Sequence, residues 1–269
     1  MNARPAAEPG RWADLSKRLI SAALMLTVGA VAIWLGGVPF MALVILLSAV
    51  MMWELATITS RDRKYEAIAL ACLMGVSLLG AFIVLPVPSI LFLALPALGL
   101  ASTARPERFI GAIAAFSIAV AGYGLVELRE TAGSYSILWL VAVVVVSDAM
   151  GYFAGKILGG PKFWPAISPK KTWSGTAAGW IGAAGVGAVF VAMGLAPASL
   201  ILLSMLAAFA GQMGDIGESL LKRHAGVKDS SNLIPGHGGV MDRFDALTGA
   251  AVLLVLLGLM FDLPLAEGS

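Results

Sequence analysis

Residues 198–245 read ASLILLSMLAAFAGQMGDIGESLLKRHAGVKDSSNLIPGHGGVMDRFD. The first half is an apolar run long enough to cross a bilayer, and the second half is crowded with charge. From Gly214 to Asp245 the chain holds five acidic residues, four basic residues and both of its histidines. Ionisable groups within a membrane span are expensive and face a bundle interior or a water-filled cavity. This junction therefore sets two expectations, a helical membrane fold and a polar site at one face of it.

Composition agrees with the first expectation. The 269 residues are 59% hydrophobic and 13% charged, about half the charge fraction of about 25% usual in soluble domains. Apolar runs at 19–35, 38–57, 67–85, 87–101, 109–126, 137–158, 175–195, 198–221 and 246–261 predict an all-α, polytopic transmembrane bundle of about nine spans. Helices are required because backbone groups in hydrocarbon must be satisfied within the segment. The separators are turn-formers or charges, such as Gly36-Gly37-Val38-Pro39, Arg61 to Lys64, Pro86-Val87-Pro88 and Arg105 to Arg108.

Charge placement predicts orientation. With a cytoplasmic N-terminus and nine spans, 17 of the 18 Lys and Arg residues fall inside and only Arg129 falls outside, as the positive-inside rule favours. The segments 156–171 and 222–243 then share the cytoplasmic face. Residues 1–18 read as a cytoplasmic N-terminal segment. The run after them is span-length and followed by many others, so it reads as a retained helix rather than a cleaved leader. Residues 19–130 form the N-terminal helices and 131–269 the region expected to carry chemistry. Cys72 is the single cysteine and excludes an intrachain disulfide.

Within the eighth span, Gln212, Asp215, Ser219 and Lys222 recur at helical spacing and share one face. Gly211, Gly214 and Gly217 form a neighbouring stripe that lets another helix approach. In the sixth span Asp148, Tyr152 and Lys156 repeat the arrangement. The loop Lys222-Arg223 … Lys228-Asp229 … Pro235-Gly236-His237-Gly238-Gly239 is basic and glycine-rich, suited to phosphate oxygens or to anionic headgroups. It is no Walker A loop. Asp242 and Asp245 lie three residues apart at the start of the last span. Asp215 with Asp242, from two helices, suits a hard cation such as Mg²⁺, which prefers few carboxylates plus substrate phosphates. Asp245 suits either that site or the helix dipole. Lys170 and Lys171, in Ser168-Pro169-Lys170-Lys171-Thr172-Trp173, suit a phosphate-bearing substrate, while Trp164 and Trp173 read as interfacial anchors.

Taken together, Ser219-Leu220-Leu221-Lys222-Arg223, Lys228-Asp229, Pro235-Gly236-His237-Gly238-Gly239 and Asp242-Arg243-Phe244-Asp245 resemble the signature of the phosphatidate cytidylyltransferase (CDP-diacylglycerol synthase) family. Ser147-Asp148 and the Lys170-Lys171 segment add to the likeness, which is persuasive over roughly 148–245. One departure is Ser174, where the family usually has an acidic residue. The resemblance implies transfer of the cytidylyl group of CTP to phosphatidate, with release of pyrophosphate, at a Mg²⁺ site with room for a second cation. Asp215 and Asp242 would hold the metal, with Ser219 and Asp245 completing the shell. Lys222, Arg223, Lys228 and Arg243 would neutralise the triphosphate. Asp148, Lys170 and Lys171 would line the phosphatidate side, and His237, Gly238 and Gly239 would contact substrate. A homodimer in a bacterial cytoplasmic membrane, with no nucleic-acid partner, completes the implied picture. The rivals are a CTP-dependent lipid kinase of the dolichol or phytol kinase type and, from another class, an ion-coupled transporter that buries Asp148, Asp215 and Glu218.

Overall fold

A computed structural model describes residues 11–60, 62–84 and 87–265, with only the backbone described along 11–18. The start of the cytoplasmic segment expected over 1–18, and the separators Arg61 and Pro86, lie outside the described residues. Among the described residues eight helices follow one another: α1 (Arg11–Leu35), α2 (Gly37–Thr59), α3 (Lys64–Ile83), α4 (Ser89–Ala101), α5 (Arg108–Leu158), α6 (Trp173–Ala192), α7 (Ser199–His224) and α8 (Met241–Gly258). Five of them, α2, α3, α5, α6 and α7, are long and apolar enough to cross a membrane. Each apolar run of the sequence coincides with a helical stretch. The fifth and sixth runs both lie in α5, whose 51 residues break at Gly133, where φ is 75° and ψ is −176°. Only glycine adopts that conformation readily, and the buried Ser136 Oγ donates to the carbonyl of Gly133 at 2.6 Å.

α5 is the hub and touches all seven other helices. Two apolar cores flank it. One is built from Met52, Leu55, Met74, Leu78 and Leu100 with the first half of α5. The other joins Trp139, Leu140 and Val143 of the second half to Ala183, Leu203, Ala207 and Ala250. The fully buried Trp139 donates its indole N–H to Ser204 Oγ at 2.9 Å, which satisfies the only polar atom it brings into the core. The outer surface is apolar instead of polar: Leu24, Val76, Ile113, Ile181 and Leu202 are all exposed, and Cys72 lies exposed among them. An exterior of this kind fits hydrocarbon, not water.

The all-α expectation holds for the bundle, with one addition. Between α5 and α6 the chain forms a short antiparallel hairpin, β1 (Lys162–Trp164) and β2 (Ser168–Thr172). Thr172 ends it and caps α6 by accepting the N–H of Gly175 at 3.2 Å. Ser174 Oγ donates to the carbonyl of Gly159 at 2.5 Å. Ser174, in the first turn of α6, thus ties that helix to the residue that ends α5.

Candidate active site

Small residues bring α7 and α8 into near-contact. A Cβ on Gly211 would lie 3.0 Å from the carbonyl of Ala246, one on Gly214 would strike the carbonyl of Asp245, and one on Gly249 would lie 3.0 Å from the Gly214 Cα. Gly217, the third glycine of the stripe, faces open space and takes no part in this packing. The approach sets the side chains one turn further along α7 against the start of α8. Asp215, Glu218 and Asp245 converge there, each offering a carboxylate oxygen within 4.8 Å of the others.

Cations frame this cluster on two sides. Lys171, projecting from β2, places its Nζ 2.5 Å from Asp215 Oδ2 and also donates to the carbonyl of Gln212 at 3.2 Å. Lys222, one turn beyond Glu218, reaches Glu218 Oε2 at 2.8 Å and Asp242 Oδ1 at 2.6 Å. Asp148 of α5 is near enough to Asp215 and Lys171 to interact with both charges. Ser219 Oγ donates to Asp215 Oδ1 at 3.5 Å. Gln212 ties three helices together: it accepts from Trp180 Nε1 at 3.1 Å and donates to Ser147 Oγ and the Thr176 carbonyl at 3.4 Å.

Asp242 is surrounded by donors from the loop and from α7. Its Oδ2 accepts from Ser230 N at 2.9 Å, Ser230 Oγ at 2.9 Å and Gly239 N at 2.8 Å, while Oδ1 faces Lys222. It stands ahead of the apolar run 246–261. Burial would raise its pKa, but the Lys222 ammonium and the two backbone N–H groups outweigh burial and hold it down to about 2. Asp242 is therefore a fixed anion, and beside it Asp215, Glu218 and Asp245 bring their carboxylate oxygens together.

The glycine loop serves carboxylates of the protein. Gly238 has φ of +84°, and a Cβ there would sit 2.9 Å from Asp242 Oδ2. A Cβ on Gly239 would lie 2.5 Å from Glu54 Oε1 and would strike the Ser230 hydroxyl. Glu54, in the middle of the apolar α2, is wholly buried. It accepts from Val240 N at 2.9 Å, Met241 N at 2.6 Å, Ser230 Oγ at 3.2 Å and Ser231 Oγ at 2.5 Å. It thereby supplies acceptors for the free N–H groups at the start of α8 and pins the loop to the N-terminal half of the chain.

The remaining expected residues divide. Arg243 donates from Nε and Nη2 to the carbonyl of His237 at 2.8 and 2.5 Å, and the His237 ring pairs with Ser21 of α1 at 2.8 Å. Arg223, Lys228 and Lys170 are exposed around the rim. Reasoning from sequence passed over Glu54 entirely and considered Glu218 only for ion coupling. A signal existed for both: Glu54 is the lone acid of its apolar run, and Glu218 lies between Asp215 and Lys222 on the polar face of α7.

Residues 16–261 match the model of a family described as the cytidylyltransferase family. The chain belongs to this family. Similar proteins include a phosphatidate cytidylyltransferase of Brucella abortus, 34% identical over 262 residues that cover 93% of this chain and 96% of the relative. Another, from Bacillus subtilis, is 31% identical over 92% of this chain and 99% of its own length. A Helicobacter pylori phosphatidate cytidylyltransferase is 44% identical over a shorter stretch, 50% of this chain and 52% of the relative.

Within this member of the cytidylyltransferase family, the acidic cluster suits a divalent cation. Its donors are all hard oxygens, of the kind Mg²⁺ selects. Among the described residues Glu218 Oε1 is buried with no donor facing it, and a buried carboxylate oxygen left so calls for a ligand. Three acids crowded together with one lysine at Asp215 and another at Glu218 leave negative charge that a cation would balance.

Proposed function

We propose that this chain is a phosphatidate cytidylyltransferase that joins the cytidylyl group of CTP to phosphatidate and releases pyrophosphate. The observation that carries the reading is the convergence of Asp215, Glu218 and Asp245 between Lys171 and Lys222 inside an apolar bundle. The phosphatidate headgroup is a phosphate monoester with a second pKa near about 6, so at neutral pH it is already an anionic nucleophile. An oxygen of that phosphate attacks the α-phosphorus of CTP, the α–β bridge bond breaks, and pyrophosphate leaves with its electrons. No proton has to be removed first, so the site needs charge neutralisation and alignment instead of a general base.

The residues divide that work. Asp215, Glu218 and Asp245 would hold Mg²⁺, which when bound supplies charge neutralisation and in-line alignment of the phosphates. Lys171 is the resting counter-ion of Asp215. Its ammonium, with Lys170 beside it on the hairpin, would neutralise the arriving phosphate. Lys222, held between Glu218 and the fixed anion Asp242, faces the triphosphate together with Arg223 and Lys228. Asp148 closes the phosphatidate side.

The wider arrangement follows from the same reading. Nine spans result when α5 counts as two at Gly133. A cytoplasmic N-terminus then sets the hairpin and the 222–243 loop in the cytosol, where CTP is found. An inner-membrane homodimer accords with the resemblance. The test is an assay of the purified chain in lipid–detergent micelles with labelled CTP and phosphatidate. Expected products are CDP-diacylglycerol and pyrophosphate in equal amounts, abolished by chelation and restored by Mg²⁺. Release of CDP would point to the lipid kinase, and turnover unaffected by chelation would remove the metal role.

A further inference from the structure

One cavity has no role in the chemistry above beyond Lys228, which stands on its wall. It has a volume of about 410 Å³ and opens between the last turn of α2 and the loop 226–232, within the range of roughly 300–1,000 Å³ usual for small-molecule sites. Thr57, Ile58 and Val227 give it a partly apolar wall, and Lys228, Asp229 and Asn232 line the rest. Asp229 and Asn232 make no side-chain hydrogen bond or ion pair among the described residues, so a carboxylate and a carboxamide stand free at its edge. Ser230 is part of the same wall, and it is also the residue that donates to Asp242 from both N and Oγ. From Asp242 the hydrogen-bonded path runs through Lys222 to Glu218. The cavity wall is thus joined to the carboxylate cluster by three direct contacts, through Ser230, Asp242 and Lys222.

Resting on the cytidylyltransferase reading, we infer that this cavity holds the pyrimidine base of the nucleotide, with the Asp229 carboxylate accepting a hydrogen bond from the exocyclic amine of cytosine. Cytosine presents an N–H₂ donor where uracil presents a carbonyl. An ionised carboxylate only accepts, so it attracts the first and repels the second, the same logic by which acidic side chains read cytosine in nucleic acids. A site built to pair with a polar group discriminates far more strongly than one that merely fits a shape. Asn232 has a donor to offer the carbonyl oxygen or the ring nitrogen of cytosine, and Ile58 and Val227 supply apolar surface to the base. Glu54 serves this end as well, since it fixes the hydroxyls of Ser230 and Ser231 in the cavity wall.

The experiment measures kcat/KM for CTP and for UTP with the purified full chain. The wild-type protein prefers CTP, and Asp229→Asn, whose amide can donate to uracil, narrows that preference at least tenfold. Thr57→Trp, which fills the cavity, raises KM for CTP at least fivefold and leaves KM for phosphatidate unchanged. If Asp229→Asn is inactive with both nucleotides, calorimetric affinities for CTP and UTP in detergent replace the rates. An unchanged CTP-to-UTP ratio, or a CTP KM indifferent to the tryptophan, overturns the base site. An active wild-type enzyme with an unmoved ratio rejects only this inference, whereas a wild-type chain with no CTP-dependent turnover rejects the cytidylyltransferase reading itself.

Discussion

Two groups of carboxylates sit side by side at one end of the bundle, and they are treated in opposite ways. Glu54 and Asp242 receive hydrogen bonds from four backbone N–H groups and two serine hydroxyls, and Asp242 adds Lys222. Asp215, Glu218 and Asp245 face one another with fewer donors, Lys171 on Asp215, Lys222 on Glu218 and the Ala246 N–H on Asp245, and among the described residues one buried Glu218 oxygen has no partner. Buried charge is tolerable when donors surround it. The first pair therefore acts as architecture, a rivet between α2, the loop and α8. The second group is held in a repulsive arrangement by the close packing of α7 on α8, which is a state that a cation relieves.

The largest effect expected from this contrast is on turnover. Asp245→Asn removes one ligand and one repelling charge. Activity should fall by roughly 10²–10³-fold, the scale seen when one preorganised electrostatic group is lost, while the thermal unfolding midpoint holds or rises. A variant that keeps full activity and the same Mg²⁺ requirement would show that the cluster is not the metal site.

Glu54→Gln should do the reverse. The amide has one acceptor where the carboxylate had two, and its NH₂ meets donors. Loss of charge-assisted bonds at a buried site predicts a destabilisation of about 2–3 kcal/mol, read as a lower unfolding midpoint in detergent. The activity that remains should keep the wild-type Mg²⁺ dependence. An unchanged midpoint would mean that the loop is held by something other than Glu54.

These two residues also mark what was legible in the sequence. The helices were, because apolar runs separated by charges and turn-formers leave few alternatives in a bilayer, and even the break at Gly133 falls between two expected runs. The polar face of α7 was legible from helical spacing. The convergence of Asp215 with Glu218 and Asp245 was not, because it depends on how closely α7 packs on α8. Glu54 lies 176 residues before Ser230 and 186 before Val240. Pairings at that separation leave no local trace in one chain, although a lone acid amid apolar residues was a sign that something met it. The hairpin at 162–172 went unseen because Ser-Pro-Lys-Lys-Thr has no strand periodicity.

The packing that crowds the acids can be tested through the glycines. Gly214→Ala places a methyl against the carbonyl of Asp245 and forces α7 and α8 apart. It should weaken Mg²⁺ activation and lower turnover about tenfold, as expected when catalytic groups move by a fraction of an ångström. Gly217→Ala is the control on the same helix. Its Cβ meets nothing within 4 Å, so activity should hold while stability rises by about 0.5–1 kcal/mol, the usual gain from replacing a helical glycine. Equal effects at the two positions would mean that helix propensity, not helix spacing, governs the site.

Ser219 carries the smallest expected effect and places the edge of the cluster. Its hydroxyl points at Asp215 Oδ1 from 3.5 Å, at the outer limit of a hydrogen bond and weak for that reason. If it only orients Asp215, Ser219→Ala should reduce kcat by about threefold or less, in line with a long, weak bond of roughly 0.5 kcal/mol, and leave the Mg²⁺ concentration for half-activation unchanged. If the hydroxyl ligates the cation, that concentration should rise tenfold or more, and Ser219→Thr should restore it while Ser219→Ala does not. The two outcomes differ in which quantity moves, kcat or metal requirement, so a Mg²⁺ titration of the alanine and threonine variants decides whether the cation shell ends at the three carboxylates or extends one turn along α7.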